Sequence, residues 1–245
     1  MSTDWAAWHE SYNDPSSYLA ARLRVVQGFI LEFLDSRSAR DCRVVSLCAG
    51  KGLDLLGVLS SHPKRQLVRG RLVELDPGLA AAALDAAKAA ELTDIEVVVA
   101  DAGVTDSYLG AAPVDLVIAC GVLGNISDHD VETTVRAMPS LCNHGGTVIW
   151  TRHRSPPDLT PTIRHWFSEA GFSEQSFTSP GVNSFAVGVH RLDGPTDTLI
   201  AGQRLFTFLH DEMAAGPHGA RCRSGGVHPV SGRSSPEGGA GAVPS

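Results

Sequence analysis

A chain of 245 residues that is 43% apolar can bury a real core, as one large α/β domain or two small ones. Its net charge of −7, with no long basic run, argues against a dedicated nucleic-acid binder, and no stretch approaches the roughly 18 unbroken apolar residues of a membrane span. The five cysteines (Cys42, Cys48, Cys120, Cys142, Cys222) are odd in number and hold no C-x-x-C pair, which argues against a disulfide framework or a zinc knuckle.

The opening "MSTDWAAWHE" has neither a basic nor an apolar targeting region, so a cytoplasmic location is expected. Trp5, Trp8, His9 and Tyr12 fall in an aromatic, irregular stretch that either lids a site or staples the N-terminus to the core. Asp14-Pro15 reads as a helix start, and Leu19, Leu23, Val26, Ile30 and Leu34 recur at helical spacing to about Asp35. Residues 1–40 are thus expected to form an N-terminal helical or lid segment.

Alternating units follow. Val44–Leu47 reads as a strand, Leu53–Ser60 as a helix, Leu67–Leu75 as a strand and Gly78–Leu92 as a helix. Ile95–Ala100 is a strand, with a short helix near Thr105–Leu109, and Val114–Ala119 is the next strand. Asp128 or Ser127 caps a helix carrying Val131, Val135 and Met138, which Pro139 is expected to bend. Thr147–Thr151 is a strand, and a helix from Thr160-Pro161 stops at Gly171. "FSEQSFTSPGVNSFAVGVH" reads as two antiparallel strands around a Pro-Gly turn. "RLFTFL" is a candidate last strand or a segment packed on the body, and residues 214–245, rich in Gly, Ser and Pro, read as a disordered tail. The pattern predicts a doubly wound α/β sheet, mostly parallel with one antiparallel strand near the C-terminus, spanning residues 41–210.

Ligands of such sheets bind at the carboxyl ends of the strands. The first strand ends at Cys48-Ala49-Gly50-Lys51-Gly52. A nicotinamide fingerprint needs a third glycine where Leu55 stands, and no G-K-[ST] follows for a P-loop. A Gly-x-Gly turn remains, which lets a ligand approach without a bound diphosphate. Glu74 ends the second strand, where a carboxylate can accept two ribose hydroxyls. Asp101 ends the third, where it can accept from an adenine amino group. Adenine and ribose without phosphates fit this set.

The chain here resembles the class I S-adenosylmethionine-dependent methyltransferases. "VVSLCAGKGLDLL", "RLVELDPGLAAAAL", "VVVADAG", "VDLVIACGVLGNI", "LCNHGGTVIW" and "WFSEAGFSEQSF" follow that family's motif order from about Val44 to Val189. The resemblance implies a seven-stranded sheet with S-adenosyl-L-methionine as cofactor. It places Gly50 and Gly52, with Ala49, near the methionine part, Glu74 on the ribose, and Asp101 with Ala102 on the adenine. Two positions depart from the family: Cys48 replaces its usual first glycine and Ser46 its usual acid. Asp54 then has two readings, a contact to the cofactor's amino group or favourable charge at a helix N-terminus.

Cys48 and Cys120 are placed at the cofactor site and read as small packing residues; the alternatives are a reactive thiol at Cys48 and a nucleophile at Cys120, but the Pro-Cys pair of pyrimidine C5-methylating relatives and the N-P-P-Y motif are both absent. His129 and His153 are the candidate bases because histidine titrates near neutral pH. Arg152 and Arg154 flank His153, and a guanidinium there can clamp a carboxylate, which makes an anionic small molecule a candidate acceptor. The function expected is methyl transfer to a small molecule, by alignment and exclusion of water, with no metal, nucleic acid or membrane partner. A binding or regulatory protein on the same fold, and a nucleotide-dependent oxidoreductase, are the alternatives.

Overall fold

The computed structural model describes residues 14–37, 41–181 and 184–209. Trp5, Trp8, His9, Tyr12 and the 214–245 segment lie outside the described residues.

Seven strands form one sheet: β1 (Cys42–Leu47), β2 (Val68–Glu74), β3 (Ile95–Val99), β4 (Val114–Ala119), β5 (Cys142–His153), β6 (Phe172–Thr178) and β7 (Phe185–Leu192), in the order β3-β2-β1-β4-β5-β7-β6. The first five run parallel to one another, and β7 runs antiparallel to both β5 and β6. The antiparallel strand is therefore internal; the edge itself is β6. β5 begins five residues before the expected Thr147, because Asn143 to Gly146 form an irregular step in its ladder with β4. Among the described residues no helix is long and apolar enough to cross a membrane.

Successive strand residues point to opposite faces, and both faces are buried. Val44, Leu72, Leu116, Ile118 and Ile149 meet α1 (Tyr18–Ser36), α2 (Leu55–Leu59) and α3 (Pro77–Ala89). Val45, Leu47, Val73, Val117, Val148 and Trp150 meet α4 (Asp128–Leu141) and α5 (Thr160–Glu169). Helix α1 starts later than Asp14-Pro15 suggests: Asp14 holds a local turn through Ser16, and Ser17 is the cap, accepting from Ala20 N–H at 3.0 Å. Its Val26, Ile30 and Leu34 belong to the main core. The Ser127 side chain caps α4, which continues through Pro139 to Leu141.

The β3–β4 connection carries only a 3-10 turn, Thr105–Tyr108. Residues 199–209 complete that layer by running back along α4. Leu205 and Phe206 are fully buried against the same core as Tyr108 and Val131. Thr105 Oγ1 donates to Ile200 O (2.7 Å), Leu205 N–H to Gly103 O (2.7 Å), Thr134 Oγ1 to Leu205 O (3.1 Å) and Leu209 N–H to Asn125 O (3.0 Å). This strap makes two isolated bridges, Val104 with Arg204 and Ile126 with Phe208, so of the two readings of "RLFTFL" it is the packing on the body, not the strand, that is found.

One buried polar group in the core predicts acid sensitivity. Trp150 Nε1 donates to His190 Nδ1 at 3.1 Å, and the His190 ring stacks on Phe167 with centroids 4.4 Å apart. Burial pushes His190 down to about 4, with Arg164 adding to the shift and Glu174 opposing it. The unfolded chain has an ordinary histidine near 6.5. Between these values the unfolded state binds the extra proton, so this stability is complete above about pH 6.5 and is lost as pH falls towards 4. Urea unfolding should show a loss of about 2 kcal/mol from this group between pH 7 and 5. His190→Gln, which keeps an acceptor for Trp150, should remove that component; an unchanged pH profile would show that His190 does not carry it.

Candidate active site

Strand order reverses between β1 and β4, and the crevice opens at their carboxyl ends. The turn after β1 uses left-handed backbone three times, at Cys48 (φ 50°), Gly50 (57°) and Gly52 (68°). Glycine does this freely; at Cys48 the conformation costs about 1 kcal/mol. Ala49 N–H bonds Val73 O at 2.9 Å, tying the turn to β2.

Glu74 closes the arrangement. Its Oε2 accepts from Gly50 N–H at 2.7 Å and its Oε1 from Asp76 N–H at 2.9 Å, and the residue is 8% exposed. Each carboxylate oxygen keeps a second lone pair, so two ligand hydroxyls can still donate to it. Sequence reasoning found the carboxylate but not its second task of fastening the glycine turn. It also passed over Leu75, a large apolar residue 67% exposed just beyond β2; its signal was an apolar side chain between two acids in "ELD".

Asp101 lies in the loop after β3. Its Oδ1 accepts from Gly103 N–H at 2.7 Å, and its Oδ2 pairs with Arg204 at 2.6 Å. Ala102 beside it is buried, its carbonyl accepting from Tyr108 OH at 2.6 Å.

The expectation that a side chain at Gly52 would enter the ligand space needs correction. A Cβ on Gly52 would lie 2.7 Å from Leu56 Cδ1 and 2.9 Å from Leu72 Cδ2, so a side chain at this position would face the core. Ser46, one residue before the end of β1, is 1% exposed, and its hydroxyl has no hydrogen-bond partner among the described residues. Burial and the nearby Glu74 and Asp101 push the Cys48 thiol well up, which opposes a reactive thiolate. Burial, then Asp54, likewise raises the Cys120 thiol, against the lowering effects of Arg22 and the Thr151 hydroxyl. Both cysteines read as packing.

Arg152 bonds Leu123 O and Asp128 Oδ1, while Arg154 bonds Asp158 Oδ2 (2.8 Å) and Ser179 Oγ (3.2 Å). They fasten loops, which removes the basis for a clamp by these two residues. His129 is exposed at the second position of α4. His153 Nδ1 accepts from Ser155 N–H at 2.8 Å. A neutral His153 therefore carries its proton on Nε2, where it is a donor and not the expected base.

A second group of residues shares the neighbourhood of His153 and Cys120. Tyr18 from α1 lies 5.7 Å from the His153 ring and 5.3 Å from Phe185, centroid to centroid. Burial pushes Tyr18 up to about 12, with Arg22 opposing it. Asp54 precedes α2, and its Oδ1 accepts from Leu55 N–H at 2.7 Å. Burial raises its carboxyl above the usual range, against the Leu55 bond and the charge of Arg22. Asp54 thus bonds the first residue of α2, and the same carboxylate lies within the electrostatic reach of Arg22 on α1. Among the described residues no group of His, Cys, Asp and Glu is arranged to hold a metal.

The sequence matches no known protein-family description and no curated protein. Solved structures do match in fold. A magnesium protoporphyrin IX methyltransferase from Synechocystis PCC 6803 with bound SAM superposes with TM-score 0.61 at 12% identity, over 77% of this chain and 91% of that one. An O-methyltransferase family protein from Burkholderia thailandensis gives 0.52 at 18%, over 75% and 59%. The Methanococcus jannaschii fibrillarin pre-rRNA processing protein gives 0.51 at 16%, over 63% and 68%. The chain has the class I methyltransferase fold.

Proposed function

We propose that this protein is an S-adenosylmethionine-dependent methyltransferase acting on a small-molecule acceptor. The observation that carries the reading is Glu74: a carboxylate, almost buried, bound to the glycine turn and keeping lone pairs for two hydroxyls. The cofactor would supply a methyl group already activated on a sulfonium. Glu74 would hold the ribose, Asp101 and Ala102 the adenine, and Leu75 offers an apolar surface to the flat base. Asp54 and the backbone of Ala49 and Gly50 would face the methionine part.

The protein's contribution is then orientation and exclusion of water. Tyr18, beside His153, and Phe185 would wall the acceptor's pocket. The net charge of −7 favours a small molecule over RNA.

Calorimetric titration with S-adenosylhomocysteine and NAD separates this reading from the oxidoreductase. Binding of the first alone is expected, and binding of NAD alone would overturn the proposal. Ser46 and Cys48 favour a second reading, a binding protein without transfer. Tight S-adenosylhomocysteine binding, with no label moved from methyl-labelled donor to pooled small molecules, would support that reading instead.

A further inference from the structure

We infer that Arg204, carried on the strap, is a positioning residue that sets the selectivity of the site for an adenine base. The inference rests on the methyltransferase reading and extends it to a residue far from the nucleotide motifs in sequence.

The strap is fastened at the point where it crosses the loop after β3. Leu205 N–H bonds Gly103 O, and Gly202 N–H bonds Asp106 Oδ2 at 2.6 Å. Thr105 and Gln203 exchange bonds in both directions, Thr105 N–H to Gln203 O (3.0 Å) and Gln203 N–H to Thr105 Oγ1 (3.0 Å). Gly103 makes the close crossing possible: a Cβ there would strike Phe206 O and lie 3.0 Å from Asp101 Oδ1 and 3.1 Å from Arg204 Nη1. The backbone under Arg204 is thus held on both sides.

From that base Arg204 Nη1 reaches Asp101 Oδ2 at 2.6 Å, while Gly103 N–H takes Oδ1 at 2.7 Å. The two donors act on different oxygens and fix the carboxylate plane. Each oxygen retains a lone pair. A fixed carboxylate accepts from the 6-amino group of adenine and repels a 6-oxo group, whose oxygen is itself an acceptor. Selectivity depends on the carboxylate being held; a swivelling one can turn away from the wrong base. Arg204 acts through Asp101 and need not touch the ligand.

The test compares two ligands on the full chain: S-adenosylhomocysteine and its 6-oxo analogue, S-inosylhomocysteine, with melting temperature measured alongside. The unaltered protein should prefer the adenine ligand. In Arg204→Gln the affinity for S-adenosylhomocysteine should fall about three- to fivefold, the scale of a partly exposed ion pair, while that for the 6-oxo ligand stays the same or rises. Arg204→Lys should retain part of the preference. Equal weakening of both ligands would mean that the substitution only loosens the strap, and this would overturn the inference. An unchanged or larger preference would overturn it as well. If the unaltered protein bound neither ligand, the cofactor reading itself would fall, and that result is distinct from the others.

Discussion

Glu74→Ala should lower affinity for S-adenosylhomocysteine by at least about 100-fold, since two charge-assisted bonds to ribose hydroxyls are each worth roughly 1.5–3 kcal/mol. The structure adds a second loss. The Gly50 and Asp76 N–H groups lose their acceptor, and a buried N–H without a partner costs about 1–3 kcal/mol. The variant should therefore melt lower as well as bind more weakly. Glu74→Gln sharpens the experiment: it keeps the shape but turns an NH2 group towards one of the two backbone donors. Its stability should fall nearly as far as that of the alanine variant. Calorimetry and thermal melting on both proteins give the answer. A folded Glu74→Ala variant with unchanged affinity would remove the cofactor assignment.

Gly52→Val should unfold or nearly unfold the protein, with a loss of about 3–5 kcal/mol. The new Cβ would overlap Leu56 and Leu72, and a β-branched residue would have to adopt φ 68°. Loss of ligand binding would follow from loss of structure. This reverses the expectation from sequence, in which the glycine leaves room for a ligand. Denaturant unfolding together with S-adenosylhomocysteine titration distinguishes the two. A variant with normal stability and no binding would show that the side chain enters the ligand space after all.

The contrast between these two residues shows what the sequence makes legible. Glu74 could be found because a carboxylate at the end of a strand after a Gly-x-Gly turn has a place dictated by topology. The strands and helices of the parallel half were equally readable, with Val114–Ala119 matching residue for residue, because both faces are buried and the apolar runs are long. Gly52 was misread because a glycine in a sequence does not say which way its missing side chain would point. His153 was misread for a related reason: the Ser155 N–H that occupies Nδ1 is a backbone group with no signature of its own. Arg152 and Arg154 found acceptors in Leu123, Asp128, Asp158 and Ser179, at sequence distances that no local pattern encodes. The strap was missed as a layer because "RLFTFL" has too few residues to show a period, and only the shortness of the β3–β4 connection reveals the gap that it fills.

That gap has a consequence for the order in which the molecule can be made. A chain leaving the ribosome presents the β3–β4 connection early and residues 199–209 late; Thr105 and Ile200, which bond each other, are 95 positions apart. Until the late segment emerges, one face of the central strands has no cover where Leu205 and Phe206 belong, and apolar surface near Tyr108 and Val131 stays open to water and to other nascent chains. Non-local closure of this kind is slow and prone to aggregation. A ribosome stalling or terminating shortly before residue 205 would release a product that carries every motif of the nucleotide site and still lacks part of its wall, a natural substrate for chaperones and proteases.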